Sequence, residues 1–209
     1  ITALEKARRL SIRKCENVTA FNFQSILYLN TDLLVEDSPA ISSMKTRSLT
    51  IRGYRSSILQ IPSLRTLMIS FSKITSTAYY SNLFEISLEC CHEITHLEGL
   101  RNVPIVNVIS CSNLLDISGL GENRFVKIVN CRAIQSFEPL RGIKRVDLSF
   151  CLIEDTSVFA VVEYLRLRWC LKVKELQGLM NIPHLEISQC DNLSKQFENL
   201  GNNQYFLLE

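Results

Sequence analysis

The chain is poor in the residues that build catalytic and phosphate-binding loops. Its 209 residues include seven glycines, five prolines, three histidines and one tryptophan. No glycines fall in a G-x-G-x-x-G or G-x-x-x-x-G-K pattern, so the loops that cradle phosphates with backbone N–H groups are excluded. No two glycines lie four positions apart, which removes the G-x-S-x-G nucleophile elbow; Ser118, in Asp116-Ile-Ser-Gly119, reads as a turn residue. With three histidines, a Ser/His/Asp arrangement would have to be assembled from distant segments. No run approaches the ~18 to 20 apolar residues of a membrane helix, and no secretory signal pattern is visible. A net charge of +2 falls short of the basic excess of a dedicated nucleic-acid module. These absences predict no enzyme, no cofactor, no nucleic-acid partner and no membrane span.

Cysteine, by contrast, is plentiful and regularly placed. Cys91, Cys111, Cys131, Cys151, Cys170 and Cys190 are 20, 20, 20, 19 and 20 residues apart. Such a period means one structural unit stacked repeatedly. Two aliphatic residues precede each cysteine at offsets minus five and minus three: Ile86 and Leu88, Val106 and Val108, Val126 and Ile128, Val146 and Leu148, Leu165 and Leu167, Leu185 and Ile187. Alternation of this kind predicts a short strand with one buried face. An aliphatic follows at plus three (Ile94, Leu114, Ile134, Val173, Leu193), then another apolar residue (Leu97, Ile117, Phe137, Leu176, Phe197), then a leucine (Leu100, Leu120, Leu140, Leu179, Leu200). Three-residue spacing fits a 3₁₀ turn or short helix. The unit after Cys151 departs from the pattern, offering Ile153 and Val158.

Strings such as Val106-Asn-Val108-Ile-Ser-Cys111-Ser-Asn-Leu114 resemble the leucine-rich repeat, in which Asn or Cys stands where Cys111 and Cys131 stand. The compact return Ile134-Gln-Ser-Phe-Glu-Pro-Leu-Arg-Gly-Ile143 is most similar to internalin-type and phosphatase-regulator-type repeats. The resemblance implies an α/β solenoid, an arc with a parallel β-sheet on its concave face and short 3₁₀, helical or irregular returns on its convex face.

The ruler continues toward the N-terminus. Ser72 stands in the cysteine's place after Leu67-x-Ile69; Leu49-x-Ile51 leads to Tyr54, Leu27-x-Leu29 to Asp32, and Leu10-x-Ile12 to Cys15. Tyr205-Phe-Leu207 is a candidate final strand, and 37–43 a candidate loop insertion. The expectation is one domain over residues 1–209 with about ten repeats, roughly 45 Å along its sheet. Residues 1–9 read as the tail of a preceding helix, so a fragment of a longer chain is expected.

Each ruler thiol is expected to fill a small volume in its turn and to donate weakly to a backbone carbonyl. A disulfide framework is the alternative for eight cysteines; side chains in one column point the same way, which suits stacking better than bridging. Free thiols in this number imply a reducing, cytoplasmic compartment. Cys90-Cys91-His92-x-x-x-His96 invites a zinc reading, set aside because Cys91 is committed to the core. His184 is expected to be exposed. Two sequons, at Asn17 and Asn192, read as chance triplets, the second lying in a packed turn.

What remains is recognition. Pleat alternation turns offsets minus four and minus two away from the core, and the neighbouring offsets are expected to join them in tiling the open face. The prominent tiles are Arg145, Asp147, Ser149 and Phe150, with Lys144 before them, then Tyr164, Arg166, Arg168 and Trp169. Tyrosine, tryptophan and arginine are enriched at binding hot spots, so Lys144, Arg145, Phe150, Tyr164, Arg166, Arg168 and Trp169 form the candidate site. So many arginines point to a protein partner with an acidic surface. The bland alternative is that Phe150 and Trp169 stack on each other and shield the turn. A second patch of Arg9, Ser11, Arg13 and Lys14, with Arg52 near it, reads first as protection of a sheet edge. Ser87, Asn107, Ile109 and Val129 form a small, mildly apolar middle. The leading function is an interaction scaffold; a rigid structural subunit and an extracellular or host-facing recognition protein stand as alternatives.

Overall fold

A computed structural model describes residues 8–12, 27–31, 45–54, 61–175 and 178–193. It shows a parallel β-solenoid of ten strands and little helix. The strands are β1 (Arg9–Ile12), β2 (Tyr28–Thr31), β3 (Ser48–Arg52), β4 (Thr66–Ser70), β5 (Glu85–Glu89), β6 (Ile105–Ile109), β7 (Phe125–Val129), β8 (Arg145–Ser149), β9 (Tyr164–Arg168) and β10 (His184–Ser188). They form one sheet in chain order. Helix among the described residues is confined to 3₁₀ turns at Ala78–Tyr80, Glu138–Leu140, Ser157–Phe159 and 191–193, so the α half of the expected α/β class is represented by single turns.

The register follows the ruler. Ile86, Val106, Val126, Val146, Leu165 and Leu185 pair in one row, and Leu88, Val108, Ile128, Leu148, Leu167 and Ile187 in the next. All are buried, with the return residues Ile94, Leu97, Leu100, Leu114, Ile117, Leu120, Leu140, Val173 and Leu179 packed beneath them. After Cys151 the plus-three place goes to Glu154, which is exposed, while Ile153 and Val158 turn inward. A further buried column closes each unit: Leu83, Val103, Asn123, Ile143, Val162 and Ile182. Asn123 tolerates that place because its amide is satisfied, donating from Nδ2 to Leu100 O and Val103 O at 2.7 Å and accepting from Gly121 N at 3.0 Å.

The cysteine column behaves as expected of structural thiols. Cys151 Sγ lies 3.5 Å from Ile128 O and 3.4 Å from Ser149 O, and the other five make the same pair of contacts one unit apart. Ser72 replaces the thiol with a stronger donor, Oγ to Tyr54 O at 3.0 Å. The seven described cysteines are free.

Two sequence expectations are corrected. Leu29 pairs with Leu10 and Leu49, and Thr31 with Ile12 and Ile51. The inward pair of the second unit is therefore Leu29 and Thr31, not Leu27 and Leu29. A slip of two residues keeps the same face inward, so alternation alone cannot distinguish the two registers. Arg9, assigned to a helical tail, opens β1. Cys15, Asp32, Leu176, Phe197, Leu200, the 37–43 insertion and the 205–207 strand lie outside the described residues.

Candidate interaction surface

Every unit turns the same corner. Among the described residues, the non-glycine positions with left-handed φ are Phe71, Cys90, Ser110, Asn130, Phe150, Trp169 and Gln189, with φ between 48° and 56°. Each stands one place before Ser72 or a ruler cysteine. The left-handed backbone lets the corner N–H extend the ladder: Phe150 N donates to Arg168 O at 2.8 Å and Trp169 N to Ser188 O at 3.1 Å. It also swings the side chain out of the strand's alternation. Phe150 and Trp169 are exposed and lie face to face, ring centroids 5.7 Å apart and planes 6° from parallel. The stack considered as the bland alternative therefore forms, and it leaves both rings partly open to solvent.

On the outward face, one row across β7 to β10 reads Lys127, Asp147, Arg166, Glu186. Charges of alternating sign stand on neighbouring strands, where directly opposed pairs attract. Arg166 reaches Asp147 Oδ2 at 3.5 Å through Nη1 and bonds Glu186 Oε2 through Nε. Arg168 lies 3.6 Å from the same Asp147 oxygen and donates from Nε to Ser149 Oγ at 3.2 Å. Glu186 also accepts from Tyr164 Oη at 2.6 Å. The guanidinium of Arg166, with the phenol's help, outweighs burial and holds the Glu186 carboxyl below the usual range. Burial first, and then the bond to Glu186, push the Tyr164 phenol up to about 12.

The predicted site residues fall on β8 and β9 (Arg145, Tyr164, Arg166, Arg168), on the corners after them (Phe150, Trp169) and on the residue before β8 (Lys144). Arg145 is exposed and places its guanidinium 5.2 Å from the Tyr164 ring centre, with Arg166 at 5.7 Å. Lys144 pairs with Glu163 at 2.8 Å. Asp147 and Ser149, expected as open tiles, are buried instead. Both are short, and the arms of Arg166 and Arg168 lie over them. Asp147 Oδ1 is buried without a hydrogen-bond partner. Sequence reasoning missed Glu186 and Lys127, although a signal existed: both stand at offset minus four, where the sign of charge alternates from unit to unit.

The other flagged residues are occupied locally. His92 Nδ1 lies 3.0 Å from Ser112 Oγ and His96 Nδ1 2.7 Å from Thr95 Oγ1. Among the described residues no three metal-ligating side chains gather. Cys90 is half-buried at its corner, and desolvation pushes its thiol up. His184 is exposed. Asn192 donates its side-chain amide to Leu171 O, as Asn113 does to His92 O at 2.8 Å, so a glycan on Asn192 would break a bond between turns. In the second patch Arg9 lies over Tyr28 at 4.9 Å and Arg52 over Phe71 at 4.3 Å; Arg13, Lys14 and Asn17 lie outside the described residues. No helix among the described residues is long and apolar enough to cross a membrane.

A ten-stranded parallel sheet with turn cysteines in register defines the class: this is the fold of a leucine-rich repeat solenoid. Among solved structures it is similar to an internalin from Listeria monocytogenes, with a TM-score of 0.65 and 16% identity, covering 99% of this chain and 68% of that one. No protein-family model and no curated protein matches the sequence.

Proposed function

We propose that the chain is a protein–protein interaction scaffold that holds a partner on the concave face of its sheet, over β8 to β10. The observation that carries this reading is the joining of a solvent-open Phe150–Trp169 stack to Arg145, Tyr164, Arg166 and Arg168 on consecutive strands. Aromatic rings and arginines supply most of the energy at such surfaces. The fold adds the support, because a solenoid presents its strand face as a continuous binding surface.

The partner is a protein with an acidic surface. Arg166 is shared between Asp147 and Glu186, and Lys144 is held by Glu163, so the cations that meet it are chiefly Arg145 and the unclaimed edge of Arg168. A single repeat domain across residues 1–209 and a cytoplasmic setting belong to the same reading; the column of free thiols fits a reducing compartment. The work of the surface is binding rather than catalysis.

The test is to replace Arg166, Arg168 and Trp169 together and compare the partners captured by the variant and the intact chain. Loss of partners with an unchanged circular dichroism spectrum supports the assignment. An unchanged set of partners refutes it.

A further inference from the structure

The corner column forms a rim that borders the strand face and shares Phe150 and Trp169 with the surface proposed there. Its residues run along the rim where the strands end: Phe71, Cys90, Ser110, Asn130, Phe150, Trp169. Their side chains line up along that rim. Asn130 Nδ2 reaches Ser110 Oγ at 3.4 Å, and Phe150 stacks on Trp169. A left-handed corner favours glycine or asparagine and penalises a bulky side chain. The chain uses asparagine at 130 and glycine at Gly53, the equivalent corner after β3. Yet it places Phe71, Phe150 and Trp169 at such corners, each at least 39% exposed. Phe150 holds to Trp169 and Phe71 lies under Arg52, and all three rings stay partly open to solvent.

The spacing of those aromatics has a scale. Phe71 follows β4 and Phe150 follows β8, four strand intervals of ~4.8 Å, or about 19 Å. Between them lie the three smaller corners Cys90, Ser110 and Asn130. An extended polypeptide rises ~3.3 Å per residue, so about six residues cover the distance. The charge flanking the rim is mainly positive. Within two residues of a corner position, Gly53 and Gln189 included, the described charges are Arg52, Lys73, Arg132 and Arg168 against Glu89 and Asp191. Arg52 lies over the Phe71 ring, and Arg168 ends the strand that leads into Trp169.

We infer that this rim docks an extended acidic segment of a partner protein, with one apolar side chain on Phe71 and another, about six residues away, on the Phe150–Trp169 stack. The inference rests on the scaffold reading and specifies the partner's form: a linear segment lying across the strand ends. The small corners form the floor beneath its middle, and the flanking arginines and lysine meet its carboxylates.

The corner geometry supplies a clean perturbation. Phe71→Asn, Phe150→Asn and Trp169→Asn each install the residue that Asn130 already is, so the backbone is kept while the ring is removed. A displayed library of random twelve-residue peptides is selected on the intact chain, and enriched peptides are titrated against it by the emission of Trp169, the only tryptophan. The expected peptides carry two apolar residues about six apart with Asp or Glu around them. They shift the Trp169 emission and lose at least tenfold in affinity, by calorimetry, to Phe71→Asn and to Trp169→Asn separately.

Peptides that lose affinity with Trp169→Asn and not with Phe71→Asn overturn the spanning mode. Peptides weakened by Arg145→Ser with Arg166→Ser and by Trp169→Asn, and indifferent to Phe71→Asn, overturn the rim and leave the sheet-face reading standing. Failure to enrich any peptide, or indifference to both sets of variants, overturns both.

Discussion

Consecutive returns are packed so closely that adding one methyl group at Gly119 is expected to be severe. A Cβ there would lie 1.2 Å from Leu97 O in the preceding unit. Ordinary contact needs about 3.5 Å, so the turn must move by roughly 2 Å. Leu97 N bonds Asp116 O at 3.2 Å, and Leu97, Ile117 and Leu120 are core residues. The displacement costs that hydrogen bond, about 1 kcal/mol, and forces a repacking of about 1–3 kcal/mol. Gly119→Ala should therefore lose about 2–4 kcal/mol. Two other glycines calibrate the result. Gly142 has nothing within 4 Å but φ of +86°, so Gly142→Ala should cost about 1–2 kcal/mol from backbone strain alone. Gly121 lacks a positive φ and would meet the movable Arg101 side chain at 3.5 Å, so Gly121→Ala should be neutral or stabilise by about 0.4–1 kcal/mol through the unfolded chain. Urea unfolding followed by circular dichroism and by Trp169 emission measures all three. Equal stability of Gly119→Ala and the parent, or a reversed order among the three, refutes the close stacking of returns.

Three further outcomes follow from the same structure. Leu148→Ala should cost about 2–5 kcal/mol as a fully buried truncation, and Arg168→Ala, at a side chain 41% exposed, about 1 kcal/mol or less. A reversed ranking in urea unfolding means that the strand faces are assigned one residue out of phase. Burial pushes the Cys151 thiol from 9.0 up to about 11. A raised thiol pKa means that the unfolded chain gives up its proton first, so this contribution is intact below about pH 9 and is lost as pH rises toward 11. The urea midpoint of the parent should fall over that window by more than that of Cys151→Ala; equal slopes refute the assignment. Cys90, half-buried with its thiol raised by desolvation, should alkylate slowly at neutral pH, and the column thiols only on unfolding; mass spectrometry after iodoacetamide treatment checks the order. Rapid labelling of Cys111 or Cys131 in the folded chain would contradict their burial.

The repeat and its phase were legible without coordinates because they are local and recur. Val146, Leu148 and Cys151 occupy the same offsets as Val126, Ile128 and Cys131, so strand, inward face and turn follow from one alignment of the chain on itself. Where the side chains at those offsets weakened, as at Leu29 and Thr31, the phase slipped by two, since burial of a threonine at 3% is decided by its neighbours. Arg145, Tyr164, Arg166 and Arg168 lie on adjacent strands at the places their offsets indicate, because register in a solenoid repeats the sequence offset.

What each residue does there needed the tertiary structure. Asp147 and Ser149 look like open tiles in a linear pattern. They are covered because Arg166 and Arg168, 19 residues on, are long enough to lie across a gap of one strand spacing. The pairing of Arg166 with Glu186 belongs likewise to a third strand. The sign of φ at Phe150 and Trp169 is set by the corner that the whole stack requires, not by the preference of a phenylalanine or a tryptophan. The sequence by itself determined a period of about twenty residues and its buried face, through local spacing. The tertiary structure alone decided which charges are already spent on each other and which rings remain open, because both depend on strands brought side by side from neighbouring units.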